Sequence, residues 1–227
     1  MKILSSSFAG PINGPAMVPP SVTHAIICLH GFGSSGDDLI ALAPALRSTL
    51  GNLGESLAIY APHGPAFVPG ATEYNPGYQW FSDRGWTFRD PEGLARLLPE
   101  LDAFIAHVAQ THDIPTSHIA LLGFSQGAMT ALHCAPGLRH QPGAIISCCG
   151  AISVPPLFGF ETTKPPVLLL HGAEDDVLPA DASVTAAQTF TDKGYPTQLE
   201  ILPNLGHGID AATVAHISVF LQSVWVD

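Results

Sequence analysis

The chain has 227 residues, of which 46% are hydrophobic and only 12% charged, enough apolar material for one large α/β core and too much for intrinsic disorder. Eight Lys and Arg against 19 Asp and Glu give a net charge of −11, which excludes the cationic stripe of a nucleic-acid binder and disfavours an anionic membrane surface. The partner expected from this balance is a neutral or weakly charged small molecule, and no apolar run approaches the ~18–20 residues of a membrane span.

In chain order, Lys2 precedes Ile3 and Leu4, but Ser5, Ser6 and Ser7 interrupt at once. No secretory apolar region forms, and the cytoplasm is the expected compartment. Residues 1–21, rich in Pro, Gly and Ser, are expected to form an antiparallel edge hairpin or a loose arm. A strand is predicted at 23–29, leading into Leu29-His30-Gly31-Phe32-Gly33-Ser34-Ser35-Gly36. Glycines there let the backbone turn so that an N–H points at a developing oxyanion, and the Phe32 N–H is the expected donor. His30 is read as shaping this loop rather than as catalytic. Asp37 and Asp38 are read as caps of a helix over 37–50, in which Leu39, Leu42, Ala43 and Leu46 share a face.

After a strand at 57–61, residues 62–89 lose all periodicity while holding Phe67, Tyr74, Tyr78, Trp80, Phe81, Trp86 and Phe88. A long aperiodic loop in a compact domain is usually functional. It is read as an aromatic-rich loop near the active site, with Trp80 and Phe81 expected to face substrate. Helical spacing returns over 92–111 through Leu94, Leu97, Leu98, Leu101, Ile105 and Val108, with Pro99 as the point of a kink.

The strand at 118–123 runs into Gly123-Phe124-Ser125-Gln126-Gly127 and then a helix over 125–135. G-x-S-x-G alone is a weak signal. Between a strand and a helix it reads as a nucleophile elbow, with Ser125 as nucleophile and the Gln126 N–H as second oxyanion donor. A serine needs a base and the base an orienting acid, in the order Ser, acid, His. Strands at 143–148 and 166–170 lead to a loop where Glu174, Asp175 and Asp176 are adjacent. Asp175 fits the acid position, but order alone does not choose among the three. A helix at 180–193 and a strand at 197–202 follow. His207 then stands between that strand and a last helix at 209–226, whereas His216 falls inside the helix.

Strands apolar throughout and alternating with helices indicate a parallel sheet covered on both faces, and no linker divides residues 1–227, so one domain is expected. Cys28, Cys134, Cys148 and Cys149 sit in apolar stretches and are read as buried free thiols. No ligand-spaced cluster suggests a metal, and no cofactor is expected.

Taken together, Leu29-His30-Gly31-Phe32-Gly33, Gly123-Phe124-Ser125-Gln126-Gly127, His171-Gly172-x-x-Asp175-x-x-Leu178-Pro179 and Gly206-His207 resemble the phospholipase/carboxylesterase family of α/β-hydrolases. That family also contains the acyl-protein thioesterases. The resemblance covers residues 22–220 and implies an α/β-hydrolase fold, with a mainly parallel central sheet and helices on both faces. It implies Ser125 as nucleophile, Asp175 as acid, His207 as base and an oxyanion hole at Phe32 and Gln126, and it selects Asp175 over its neighbours. Trp80-Phe81 stands where the family has its Trp-Phe pair. Ala128, Ser34 and Ser82 depart from the family pattern, the last two where the thioesterase branch has Asp.

The resulting expectation is a carboxylesterase acting on small-molecule esters of short to medium acyl chains through an acyl-enzyme. A lysophospholipase or acyl-protein thioesterase is the alternative, and a non-catalytic α/β-hydrolase binding module the remote one. A homodimer is left open.

Overall fold

The computed structural model describes residues 4–5, 10, 12–82 and 89–225. The strands are β1 (Leu4–Ser5), β2 (Pro15–Met17), β3 (His24–Leu29), β4 (Leu57–Tyr60), β5 (Ala66–Phe67), β6 (Tyr78–Gln79), β7 (Ile119–Phe124), β8 (Ala144–Cys148), β9 (Val167–Gly172) and β10 (Thr197–Leu202). The helices are α1 (Gly36–Ile40), α2 (Ala43–Thr49), α3 (Asn52–Glu55), α4 (Pro91–His112), α5 (Gln126–Cys134), α6 (Asp181–Asp192) and α7 (Ala211–Val224).

Eight strands form one sheet in the order β1-β2-β4-β3-β7-β8-β9-β10. The six from β4 to β10 are parallel, and β2 and β1 extend the β4 edge antiparallel. Parallel strands need helical crossovers, and those helices bury both faces of the sheet. One apolar layer packs Leu94, Leu101, Phe104 and Val108 of α4, Leu132 of α5 and Phe190 of α6 against the sheet. The opposite layer uses Leu39, Leu46, Ile217 and Phe220 from α1, α2 and α7. This is an α/β-hydrolase fold. Among the described residues, no helix is long and apolar enough to cross a membrane.

The register positions the chemistry. Leu29 pairs with Gly123, Phe124 with Cys148, Cys148 with Leu170 and Leu202 with Gly172. The loops leaving β3, β7, β8, β9 and β10 therefore emerge along one end of the sheet, where open α/β sheets place their sites.

Three expectations are corrected here. The helix predicted over 37–50 is two helices, because Pro44 lacks an N–H and opens the first turn of α2 instead of continuing α1. The cap of α1 is Ser35, whose hydroxyl accepts the Asp37 N–H; Asp37 and Asp38 occupy the first turn, where carboxylates complement the helix dipole. Finally, β10 is not apolar throughout. It is the outer strand of the sheet, and its Gln198 and Glu200 belong to a strand with only one covered face.

Candidate active site

The turn between β7 and α5 is tight enough to dictate its residues. A Cβ on Gly123 would lie 2.3 Å from the Gly127 carbonyl oxygen, and one on Gly127 would lie 2.0 Å from that of Leu29. Only glycine fits at either position. Between them Ser125 is held at φ 52°, ψ −116°, outside the usual regions for an L-residue. The Ser125 N–H donates to Cys148 O at 2.9 Å and its carbonyl accepts the Met129 N–H at 3.0 Å, so strand and helix together fix the strained turn. Its side chain is turned out at the head of α5.

The Ser125 Oγ lies 2.9 Å from His207 Nε2, and His207 Nδ1 lies 2.7 Å from Asp175 Oδ2. Ser125, His207 and Asp175 are thus joined in series. Asp175 is locked by its own turn: Oδ1 accepts the Val177 and Leu178 N–H groups, both at 2.9 Å. Burial would raise the Asp175 carboxyl, but the Leu178 N–H, His207 and the Val177 N–H outweigh it and hold the group below the usual carboxylate range. Glu174 and Asp176, its sequence competitors, are exposed. The His207 side chain is 15% exposed and packs beside the Phe124 ring at 5.0 Å between centroids.

The loop after β3 is braced from below. His30 is fully buried, its Nδ1–H donating to Gly31 O at 2.7 Å and its Nε2 accepting the Gly64 N–H at 2.9 Å. The Gly33 N–H is committed to Tyr78 O at 2.9 Å and the Ser34 N–H to Gly31 O at 3.2 Å. Trp80 Nε1–H donates to His30 O at 2.7 Å. The Gln126 side-chain amide accepts the Trp80 N–H at 3.0 Å and donates to Phe81 O at 2.9 Å. One side chain of the elbow helix therefore ties the aromatic segment to the same loop that carries Phe32. Sequence reasoning assigned Gln126 only a backbone role.

This bracing bears on Trp80 and Phe81, which were expected to face substrate. They are 2% and 3% exposed and belong to the core, so they support the loop from beneath instead of forming an open wall. The segment around them is partly ordered as the β5–β6 hairpin. Both residues also line a cavity of about 370 Å³ with Ser82, Asp90, Arg96 and Leu97, and neither Ser125 nor His207 is among its lining residues. Trp86 and Phe88, counted with the aromatic loop, lie outside the described residues.

The buried imidazole has a consequence for acid stability. Burial, opposed by the bond to Gly31 O, pushes His30 down from 6.5 to about 4. Between those values the unfolded chain binds a proton that the folded protein does not. Stability associated with neutral His30 is complete above pH 6.5 and is lost as the pH falls toward 4, by about 3 kcal/mol in all. Urea midpoints measured between pH 7 and 4.5 are expected to fall more steeply for the wild type than for His30→Asn. Parallel profiles would remove His30 from the acid response.

Folding also gathers groups that sequence spacing kept apart. Cys149, His171 and Asp175 place one ligand-type atom each within 4.8 Å of one another. Both Asp175 oxygens and both His171 nitrogens already have hydrogen-bond partners, which makes the cluster a network of donors and acceptors. Cys149, with φ 51°, directs its thiol toward Gly208 O at 3.6 Å. Burial pushes the Cys28 and Cys134 thiols up to about 12, and Cys148 and Cys149 are raised for the same principal reason, so none is a poised nucleophile. His171 and Cys149 carried no assigned role in the sequence. The available signals were their positions, each at the C-terminal end of an apolar strand run, and for His171 its place at the head of the motif that holds Asp175.

A family model described as phospholipase/carboxylesterase matches residues 16–225. An acyl-protein thioesterase 1 from Eremothecium gossypii is 28% identical, the match covering 96% of this chain and 94% of that protein. Esterase YpfH from Escherichia coli is 28% identical over 82% of this chain and 76% of its own length. Among solved structures, esterase PE8 superposes with a TM-score of 0.81 at 34% identity, covering 93% of this chain and 98% of that one.

Proposed function

The chain belongs to the phospholipase/carboxylesterase family and is a carboxylic ester hydrolase, and we propose that Ser125, His207 and Asp175 form its catalytic triad. The observation that carries this reading is the pair of hydrogen bonds made by His207, Nε2 at 2.9 Å from Ser125 Oγ and Nδ1 at 2.7 Å from Asp175 Oδ2. Asp175, an anion, requires the Nδ1–H tautomer and so leaves a lone pair on Nε2 facing the serine.

The proposed reaction has two halves. Ser125 Oγ attacks the ester carbonyl carbon while His207 Nε2 takes the hydroxyl proton. The oxyanion is held by the backbone N–H groups of Phe32 and Gln126. Collapse breaks the bond to the alcohol, which leaves with the proton from His207, and the acyl group stays on Ser125. Water then attacks the acyl-enzyme, giving its proton to His207, and the carboxylic acid departs as Ser125 recovers its proton. No step draws on a metal or an organic cofactor.

The proposed substrates are small-molecule esters of short to medium acyl chains. The likeness to acyl-protein thioesterases supports a second reading. Against it stand Ser34, which hydrogen-bonds Asp38, and Ser82, whose backbone N–H is held by Asp90 at 3.0 Å. The four cysteines are free thiols, the state a reducing cytoplasm maintains, and that is the compartment proposed.

A series of aryl esters and matched thioesters of rising acyl length tests the substrate class. Highest kcat/KM on short to medium esters is expected; a maximum on long-chain thioesters would favour the second reading. In the same series Trp80→Ala is expected to lose activity on every ester alike and to melt about 10 °C lower, since truncating a buried Trp costs about 3–5 kcal/mol. A loss confined to longer esters with an unchanged Tm would put the ring against the ligand.

A further inference from the structure

We propose that His171 is a positioning residue for the triad, a second histidine that pins the Asp175 oxygen on which His207 depends. The inference rests on the reading of Asp175 as the triad acid.

The Asp175 Oδ2 that meets His207 Nδ1 at 2.7 Å also lies 3.1 Å from His171 Nε2. The side chains of His171 and Asp175 are both fully buried. The Oδ1 atom has its own two donors, the Val177 and Leu178 N–H groups. A carboxylate offers two acceptor sites on each oxygen, so four donors saturate it. With His171 in place neither oxygen can swing without breaking two bonds. Without it, Oδ2 loses one of its two imidazole partners and rests more heavily on His207, the group that must gain and lose a proton in each turnover.

The surroundings of His171 decide its proton. Its Nε2 faces two acceptors, Asp175 Oδ2 and, at 3.0 Å, the Leu178 carbonyl oxygen, so Nε2 carries hydrogen. Its Nδ1 lies 2.7 Å from Ser183 Oγ on α6, a contact that holds the ring with Nε2 aimed at Asp175. Ser183 Oγ also lies 3.2 Å from Gly150 O, so α6 and the segment after β8 both locate it. Strand β9 supplies His171, its following loop Asp175 and Leu178, and helix α6 Ser183. Among the described residues, the titratable groups facing this pair are His207 from the loop after β10 and the Cys149 thiol from the turn after β8. Glu174 and Asp176 point to solvent-exposed positions on the same loop.

An N–H on Oδ2 does two things. It fixes the acid in place, and it draws electron density that would otherwise strengthen the bond to His207. Removing it leaves a looser and more basic carboxylate, so His207 holds its proton more tightly. Turnover then falls and the acid limb of the pH profile moves to higher pH, while substrate binding is untouched.

The experiment measures kcat, KM, the pH dependence of kcat/KM and Tm for His171→Phe, His171→Gln and Ser183→Ala, with Asp175→Asn alongside. Phe fills the site without a donor, and about 10- to 100-fold loss in kcat is expected, with little change in KM and an upward shift of the acid limb. Gln returns an N–H near the Nε2 position and is expected to recover most of the rate and the wild-type limb. Ser183→Ala releases the far side of the His171 ring and is expected to lose about 3- to 10-fold with a shift in the same direction, which keeps the test open if His171→Phe does not fold. An unmoved acid limb in the folded variants, with activity tracking Tm alone, would overturn the proposal. Wild-type turnover in Asp175→Asn would overturn the triad reading itself. Loss in Asp175→Asn with none in His171→Phe would overturn only the role of His171.

Discussion

Ser125→Ala is expected to lower kcat on a short-chain aryl ester by about 10⁴- to 10⁶-fold while leaving Tm within a degree or two of wild type, on the scale of losses for a triad nucleophile. The two halves of that expectation have separate causes. Among the described residues, the Ser125 Oγ has one hydrogen-bond partner, His207 Nε2, and removing it breaks no contact there that holds the elbow. The backbone bonds to Cys148 O and from Met129 N–H remain, and Gly123 and Gly127 still permit the turn. What disappears is the proposed nucleophile. Rate measurements on purified folded protein check it; turnover near wild type would show that another group attacks the ester.

Asp175→Asn is expected to cost about 10⁴-fold in kcat, and Asp176→Asn or Glu174→Gln less than about twofold. An asparagine can turn its NH₂ toward His207 Nδ1, where it must donate. The imidazole then carries its proton on Nε2 and presents an N–H, not a lone pair, to Ser125. Even with its oxygen toward His207, the neutral amide stabilises the imidazolium poorly. Glu174 and Asp176 are exposed and hold none of the triad hydrogen bonds. Steady-state kinetics on the three variants distinguish the positions, and equal losses at 175 and 176 would contradict the assignment of the acid.

Most of the sheet was legible because its strands are continuous apolar runs and its helices keep a 3.6-residue period. The elbow was legible because Gly123 and Gly127 answer a steric demand that no other residue meets. The choice of acid was not available from the residues themselves. What sets Asp175 apart in the structure is a local loop in which its Oδ1 captures two backbone N–H groups, a conformation that three adjacent carboxylates do not announce. The break between α1 and α2 was hidden because Leu42 and Ala43 keep the helical spacing while Pro44 interrupts the backbone.

Trp80 misled for a different reason. An aperiodic aromatic segment looks the same whether its rings face a ligand or a core. The deciding partners, His30 O and the Gln126 amide, lie 50 and 46 residues away in sequence. His171 was passed over because its relation to Asp175 depends on Ser183 from α6 and on the turn that brings Oδ2 back over the end of β9.

An activated Ser125 nucleophile reacts covalently with phosphonylating reagents. Intact-mass analysis after treating the wild type with an active-site-directed fluorophosphonate tests it most directly. A single stoichiometric adduct is expected, mapped by digestion to the peptide containing Ser125, absent from Ser125→Ala and strongly slowed in Asp175→Asn. A folded, ester-hydrolysing protein that takes up no adduct, or carries it on a different serine, would contradict it.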